Sequence, residues 1–248
     1  MRKTNVMKPE EDAFGQELWA VYSGKEVYEI VERDDGFFSA RQSARVYFSE
    51  FRDWPLIEQK AMEFVRGRVL DVGCGAGRHA LYLQQKGFDV VGIDSSSLAV
   101  KVCKLRGLKK ARVVALEHLD FKPNSFDTII MLGGNFSLLG NPEKARRLLR
   151  NFHRITSKNA VIIGETRDPY KTDNPAHLEY HKLNRSRDRL SGQARIRVRF
   201  EKAVTRWIEW MIVSKEEMEK LLNGTGWCIN QFIDSGNTGY IAIIKKVA

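Results

Sequence analysis

The chain is 248 residues long and 43% hydrophobic, enough for a buried core, which excludes wholesale disorder. It has no run of 18 apolar residues, and its opening segment, MRKTNVMKPEEDAFGQ, lacks the apolar stretch of a secretory leader. The expectation is a soluble cytoplasmic protein without a membrane partner. A formal net charge of +10 at pH 7 suits an anionic partner, of which nucleic acid is the commonest large one, although proteins can be basic without binding one.

In chain order, residues 1–66 are charged, aromatic-rich and mostly helical in pattern. In ARQSARVYFSEF (40–51), Ala40, Ala44, Tyr47, Phe48 and Phe51 recur at three and four, predicting one helical face. Pro55 suits the first turn of a helix running through Phe64. From Arg68 the rhythm changes to strands alternating with helices. RVLDVG leads into the glycine loop CGAGRH and a helix closed by Gly87, and DVVGID (89–94) is the second strand. LAVKVCKLRGL is a helix, ARVVALEHLDF (111–121) holds a third strand and a loop, and FDTIIML (126–132) is a fourth strand. A helix over 142–156 and a fifth strand over 159–165 follow. This alternation predicts a parallel sheet with helices on both faces. Residues 167–194 read as polar loop, RIRVRF and VTRWIEWMIV as two extended strands, and 214–226 as a helix with a Ser214/Glu217 capping box. WCINQFI and GYIAIIKKV close the chain as strands.

The chemistry concentrates in VLDVGCGAGRH (69–79). Gly73, Gly75 and Gly77 let the backbone turn sharply and approach a ligand, and the helix opening at Arg78 presents free N–H groups suited to a carboxylate or phosphate. Asp94 ends the second strand, where a carboxylate can accept both hydroxyls of a ribose, and Asp120 follows the third. Asp71-Val-Gly-Cys-Gly-Ala-Gly77 resembles the first motif of the class I S-adenosylmethionine (SAM)-dependent methyltransferases. NAD and FAD enzymes more often carry G-x-G-x-x-G without the preceding acid. The resemblance covers about residues 66–166 and, more loosely, the last two strands. It implies an α/β, doubly wound, seven-stranded Rossmann-like sheet whose last strand is antiparallel, with N-terminal helices and a two-stranded antiparallel insert after strand five. It also implies SAM as cofactor, with S-adenosyl-L-homocysteine as product. Residues 1–65 would form an N-terminal helical lid, and 66–248 the SAM-binding domain with a substrate-lid insert over 167–213.

Carried over residue by residue, the resemblance has Gly73, Gly75 and Gly77 line the methionine half of SAM. Asp71 would meet its ammonium and Arg78 its carboxylate. Asp94 would hold the ribose, with Ser95 beside it. Asp120 would accept from the adenine amino group, with Leu119 and Phe121 near the ring and Leu132 also lining the cofactor. Asp120 read on its own also fits a loop-capping carboxylate. The loop MLGGNFSLLG (131–140) would face the transferring methyl, exposing Asn135 to fix an amine and Phe136 to stack on a base or cation. Asn135 also fits a plain turn cap. The loop shares an Asn and an aromatic with amino-methylating nucleic-acid enzymes but lacks their prolines. It is also similar to the LGNSF of glycine-type amine methyltransferases.

Lys182 to Arg206 hold nine basic residues against two acids, a net +7. A period of two puts Arg195, Arg197 and Arg199 on one strand face. Their repulsion could be offset by phosphates, by acids within the fold, or by water on an edge strand. With Arg206, Trp207 and Tyr170 they are candidate substrate contacts. The leading expectation is methylation of an RNA amino group, the cytosine of ribosomal RNA foremost. The alternatives are a small-molecule amine methyltransferase and a non-enzymatic SAM-binding scaffold. The basic stretch Lys101 to Arg112 reads as a solvated helix face. Cys74, Cys103 and Cys228 read as reduced thiols, and the five histidines form no metal site, His177 and His181 having no third ligand.

Overall fold

The structure is a computed structural model that describes residues 7–247. Residues 1–6, the start of the segment read as having no leader, and residue 248 lie outside the described residues. Among the described residues no helix is long and apolar enough to cross a membrane.

The elements run α1 (Ala13–Tyr22), β1 (Tyr28–Arg33), β2 (Phe38–Ser43), α2 (Leu56–Ala61), β3 (Val69–Val72), α3 (Arg78–Gln85), β4 (Val90–Asp94), α4 (Ser97–Leu105) and β5 (Ala111–Val113). They continue β6 (Phe126–Met131), α5 (Pro142–Ile155), β7 (Thr156–Arg167), α6 (Pro175–Arg185), β8 (Gln193–Phe200), β9 (Ala203–Val204) and β10 (Ile208–Met211). Helix α7 (Lys215–Leu222) and strands β11 (Trp227–Asp234) and β12 (Gly239–Lys246) complete the chain.

One sheet has seven strands in the order β11-β12-β7-β6-β3-β4-β5. Strands β4 and β5 pair in parallel, as do β6 and β7, while β12 is antiparallel to both β7 and β11. Every residue of β3 and β4 is buried, as expected of parallel strands covered on both faces, and this is why they read as unbroken apolar runs. The expected seven-stranded α/β architecture is therefore present, antiparallel strand included. Helix starts follow their capping chemistry. Asn141 accepts from the Lys144 N–H, with Pro142 in the first turn, and Ser214 and Glu217 form the expected reciprocal box.

Three expectations are corrected. Residues 40–51 are not a helix: strand β2 runs to Ser43 and a 3-10 turn covers Ala44–Phe48. Pairing of β2 with β1 overrides the local pattern, and the apolar side chains still find partners. Tyr47 and Phe48 pack against Leu18, Ala76, Ala99 and Val102, and Phe51 stacks on Tyr82 at 4.4 Å. The expected insert strands are present, but the N-terminal segment is not wholly helical. Strands β10, β8, β1 and β2 form a second sheet in that order, with β9 paired to β8, so the N-terminal segment contributes strands as well as helix. Finally, α6 occupies part of the stretch read as loop, capped by Asn174, whose side chain accepts from the Ala176 N–H.

The chain divides into two compact units. The first holds the described residues up to Phe51, Asp71–Leu119 and Ile196–Trp207, and the second Arg52–Leu70, Asp120–Arg195 and Ile208 onward. Within the first unit, Val31 of β1 and Val198 of β8 pack with Ala13 and Ala203, flanked by Ile196 and Phe200. That is the apolar face of the alternation read in RIRVRF. Within the second, β7 runs between β12 and β6, and the fully buried Phe136 lies over Gly164. A Cβ built on Gly164 would lie 2.6 Å from Cδ2 of that ring. Gly164→Ala is therefore expected to lower stability by about 1–3 kcal/mol through overpacking, read as a drop in the urea midpoint with an unchanged slope. An unchanged midpoint would show that the ring can give way.

Candidate cofactor and acceptor sites

In the first unit, β3 ends at Asp71 and Val72, and the chain then turns through Gly73, Gly75 and Gly77 at φ of 69°, 53° and 81°. These left-handed conformations are what glycine supplies there. The turn is tied to the end of β4. The Gly73 and Cys74 N–H groups donate to the Ile93 carbonyl, and the Gly75 N–H donates to Oδ2 of Asp94 at 3.0 Å. The other Asp94 oxygen accepts from the Ser96 N–H at 2.9 Å. Ser96 in turn caps α4 through the Ala99 N–H, and its hydroxyl donates to Asp12 at 2.9 Å. Asp12 also caps α1 by accepting from the Gly15 N–H. One chain of hydrogen bonds thus joins the glycine turn, the acid ending β4 and the N-terminal helix. Phe14 and Leu18 of that helix lie against Gly75, within 4 Å of where its Cβ would stand.

Arg78 reaches back to the 44–49 segment, donating to Ser49 Oγ at 3.1 Å. Arg106 corrects an expectation. Its stretch has the pattern of a solvated face, but its half-buried guanidinium donates to the Ala76 carbonyl at 2.6 Å and lies over the Phe48 ring. The side chain thereby braces the glycine turn. The Cys74 and Cys103 sulfurs are buried 3.7 Å apart, and the Cys103 thiol donates to the Gly75 carbonyl. Ser95 and Asp120 are exposed, and Leu119 is buried. Phe121 is half-buried, edge-on to Phe126, and its carbonyl accepts from Arg154.

In the second unit, β6 runs through the buried Leu132 into Gly133 and Gly134, at φ of 69° and 83°, and then a 3-10 turn, Asn135–Leu139. The Gly133 N–H donates to Oε2 of Glu165 at 2.6 Å, and the Ser137 and Thr166 hydroxyls are 3.2 Å apart. Asn141 donates to Glu209, and Trp210 lies beside Gly134. Asn135 is half-buried at the head of the turn. Phe136 corrects the expectation of an exposed stacking face. It is fully buried and fills the space above Gly164, so its ring fixes the turn from below. Tyr170 is half exposed, donates to Glu217 at 2.6 Å and borders a cleft of about 320 Å³ with Leu178, His181, Lys182 and Arg185.

Residues 69–159 match the family model described as "Methyltransferase domain". The chain is 30% identical over 108 residues to a glycine/sarcosine N-methyltransferase of Aphanothece halophytica, covering 41% of this chain and 40% of the relative. It is 37% identical over 95 residues to a ubiquinone biosynthesis O-methyltransferase of Paracidovorax citrulli, covering 33% and 40%. The matches therefore span about two fifths of these relatives' own lengths. In fold, the chain is similar along 100% of both chains to a SAM-dependent methyltransferase from Bacteroides fragilis solved with S-adenosyl-L-homocysteine, with a TM-score of 0.84 and 24% identity.

The arginine face of β8 is occupied from within the fold. Glu32 on β1 stands opposite Arg197 in the strand register and accepts from both its Nε and Nη2, at 2.7 and 2.9 Å. The same carboxylate accepts from Arg199 Nε. The two guanidiniums hold Glu32 well below the usual carboxylate range, at about 2. Arg197 also stacks on Trp207 at 4.5 Å, and Arg206 donates to Glu11 at 2.8 Å. Arg195 is exposed. Of the offsets open to the sequence, an acid within the fold serves Arg197 and Arg199.

Three buried acids of the first unit are shifted the other way. Burial, with the nearby Asp94 charge, pushes Asp71 up to about 7, and its Oδ2 has no hydrogen-bond partner. Burial pushes Asp94 up to about 6 against the backbone N–H groups that favour its charged form. Glu17 on α1, fully buried with neither oxygen bonded, is pushed to about 8 by burial and by Glu29. Each group keeps a proton in the folded state that the unfolded chain has lost by about pH 5. Folded stability therefore declines as the pH rises from that range through each raised value, whereas the Glu32 contribution is lost only on going below about pH 4.5. The thermal midpoint of the ligand-free protein is expected to fall between pH 5 and pH 8. A midpoint that is flat or rising across that window would contradict this electrostatic picture.

Proposed function

We propose that this chain transfers the methyl group of SAM to the nitrogen of a small amine. The residues present fit that cofactor. Asp71 carries a buried oxygen that lacks a donor, which an ammonium group would supply, and the left-handed glycines keep side chains out of the turn. Asp94, already oriented by the Gly75 and Ser96 N–H groups, suits vicinal hydroxyls. Gly73, Gly75 and Gly77 would flank the methionine portion, with Arg78 toward its carboxylate and Ser95 by the sugar. Asp120 would take the adenine amino group between Leu119 and Phe121, with Leu132 lining the site. SAM, when bound, supplies an activated methyl group on a positively charged sulfur. The chain's own task is then mainly to position the acceptor. Asn135, at the head of its 3-10 turn, would accept an N–H from the amine and so aim the nitrogen lone pair. The leaving proton passes to water.

The observation that carries the amine reading is Glu165. It places a carboxylate directly on the acceptor loop, hydrogen-bonded to Gly133, which suits a cationic or amino substrate and disfavours a phosphate backbone. The similarity to glycine/sarcosine N-methyltransferases points the same way. Methylation of an RNA cytosine amino group is the second reading. It rests on the net +7 between Lys182 and Arg206, of which Arg197, Arg199 and Arg206 are paired with Glu32 and Glu11.

Extract from cells lacking the gene, incubated with the protein and SAM tritiated on the methyl group, separates the two. Label is expected in small basic metabolites; label confined to RNA would overturn the amine reading. Asp94→Ala is expected to abolish SAM binding in calorimetry. Asn135→Ala should retain SAM affinity and lose about 10²-fold in kcat through lost positioning. Unchanged turnover would remove Asn135 from the mechanism.

A further inference from the structure

Besides Asp71, which has one unbonded oxygen, the first unit holds a buried acid neither of whose oxygens has a donor. Glu17 lies on the same face of α1 as Ala13 and Ala20, which sit in two apolar clusters against the second sheet. Its carboxyl group is thus held between those clusters, fully buried, with both oxygens free of hydrogen bonds. Glu29, also buried, shares a face of β1 with the core residue Val31, and its charge acts on Glu17. Glu29 accepts from the Tyr47 hydroxyl at 3.0 Å, and the Tyr47 ring meets Phe14 edge-on at 5.2 Å. Phe14 in turn lies against Gly75 of the cofactor turn.

Two carboxyl groups facing each other in an apolar interior repel when charged, and neither Glu17 oxygen has the donor that usually accompanies such burial. Other buried acids of this unit are provided for: Asp12 and Asp94 by N–H and hydroxyl groups, Glu32 by two guanidiniums. Glu17 keeps a proton near neutrality, and a cation with N–H donors would satisfy both oxygens once that proton has left. The aromatic rings of Tyr47 and Phe14 close by would favour the same kind of guest.

We propose that Glu17 and Glu29, with Tyr47, form the recognition site for an ammonium group of the amine substrate, entered when α1 lifts from the sheet and closed when it returns. The proposal rests on the amine reading above and names the residues that select for it. The Glu17 oxygens have no access to solvent with α1 seated, so α1 is the element that must move. Its closure over a cation would set Phe14 and Leu18 back against Gly75, coupling amine capture to an ordered cofactor turn.

The test is thermal-shift and calorimetric titration with methylammonium, ethanolamine and putrescine, against ethylene glycol and 1,4-butanediol as neutral counterparts. At least one ammonium probe is expected to stabilise the wild-type protein while the diols do not. Glu17→Gln, close in shape to the protonated acid, should weaken that binding about tenfold or more while SAM affinity is kept. It should also raise KM for the amine more than it lowers kcat. An absent ammonium effect in the wild type, or an equal one in Glu17→Gln, would overturn the site. If Glu17→Gln loses SAM binding as well, Glu29→Gln is judged by the same criteria. Wild-type turnover on the amines, read separately by tritium transfer, tells failure of this site from failure of the amine reading.

Discussion

The hydrogen bond from the Gly75 N–H to Asp94 is the contact on which the glycine turn, and with it the proposed cofactor site, depends. It makes one carboxylate do two jobs, holding a left-handed glycine turn in shape and standing ready for a ligand. The arrangement costs desolvation, visible in the upward displacement of both Asp94 and Asp71. Asp12, Asp71 and Asp94 are the buried aspartates among the described residues of this unit, and backbone N–H groups and one serine hydroxyl offset Asp12 and Asp94. A positively charged ligand would complete the balance.

The loop proposed to face the acceptor obeys a different constraint. Its shape comes from a glycine pair, a carboxylate on the neighbouring strand and an aromatic ring driven into the core. Phe136 illustrates how a residue type can be right for a functional role and be used for packing instead. An aromatic after two glycines reads as a platform, yet Gly164 on β7 leaves a recess that fits it, and burying the ring there is favourable. Loop geometry is therefore inherited from the sheet, while Asn135, one position earlier, stays half-buried.

Much of the seven-stranded sheet was legible because its strands are buried on both faces and separated by helices with clear caps. The glycine turn and the acid ending β4 were legible because their spacing follows from one strand–helix–strand unit. What escaped reading depends on distant partners. Strand β2 carries a helical pattern, and only pairing with β1 makes it extended. The arginines of β8 alternate as expected, but nothing near them in sequence announces Glu32, more than 160 residues away. Arg106 looked like solvated charge because its acceptors, the carbonyls of Ala76 and Phe48, have no signature in the letters. Glu17 passed unnoticed for a similar reason, since a glutamate on a helix ordinarily faces water.

The serine shared by Asp12 and Asp94 bears on where this protein can be cut. A fragment trimmed to the recognisable segment, residues 69–159, would keep all three motif glycines and Asp94, yet leave the Ser96 hydroxyl without its acceptor. It would also strip Phe14 and Leu18 from Gly75 and expose apolar surface at the mouth of the turn. The boundaries drawn by family likeness are thus narrower than those drawn by physics: a version of this turn that keeps its contacts begins no later than residue 12.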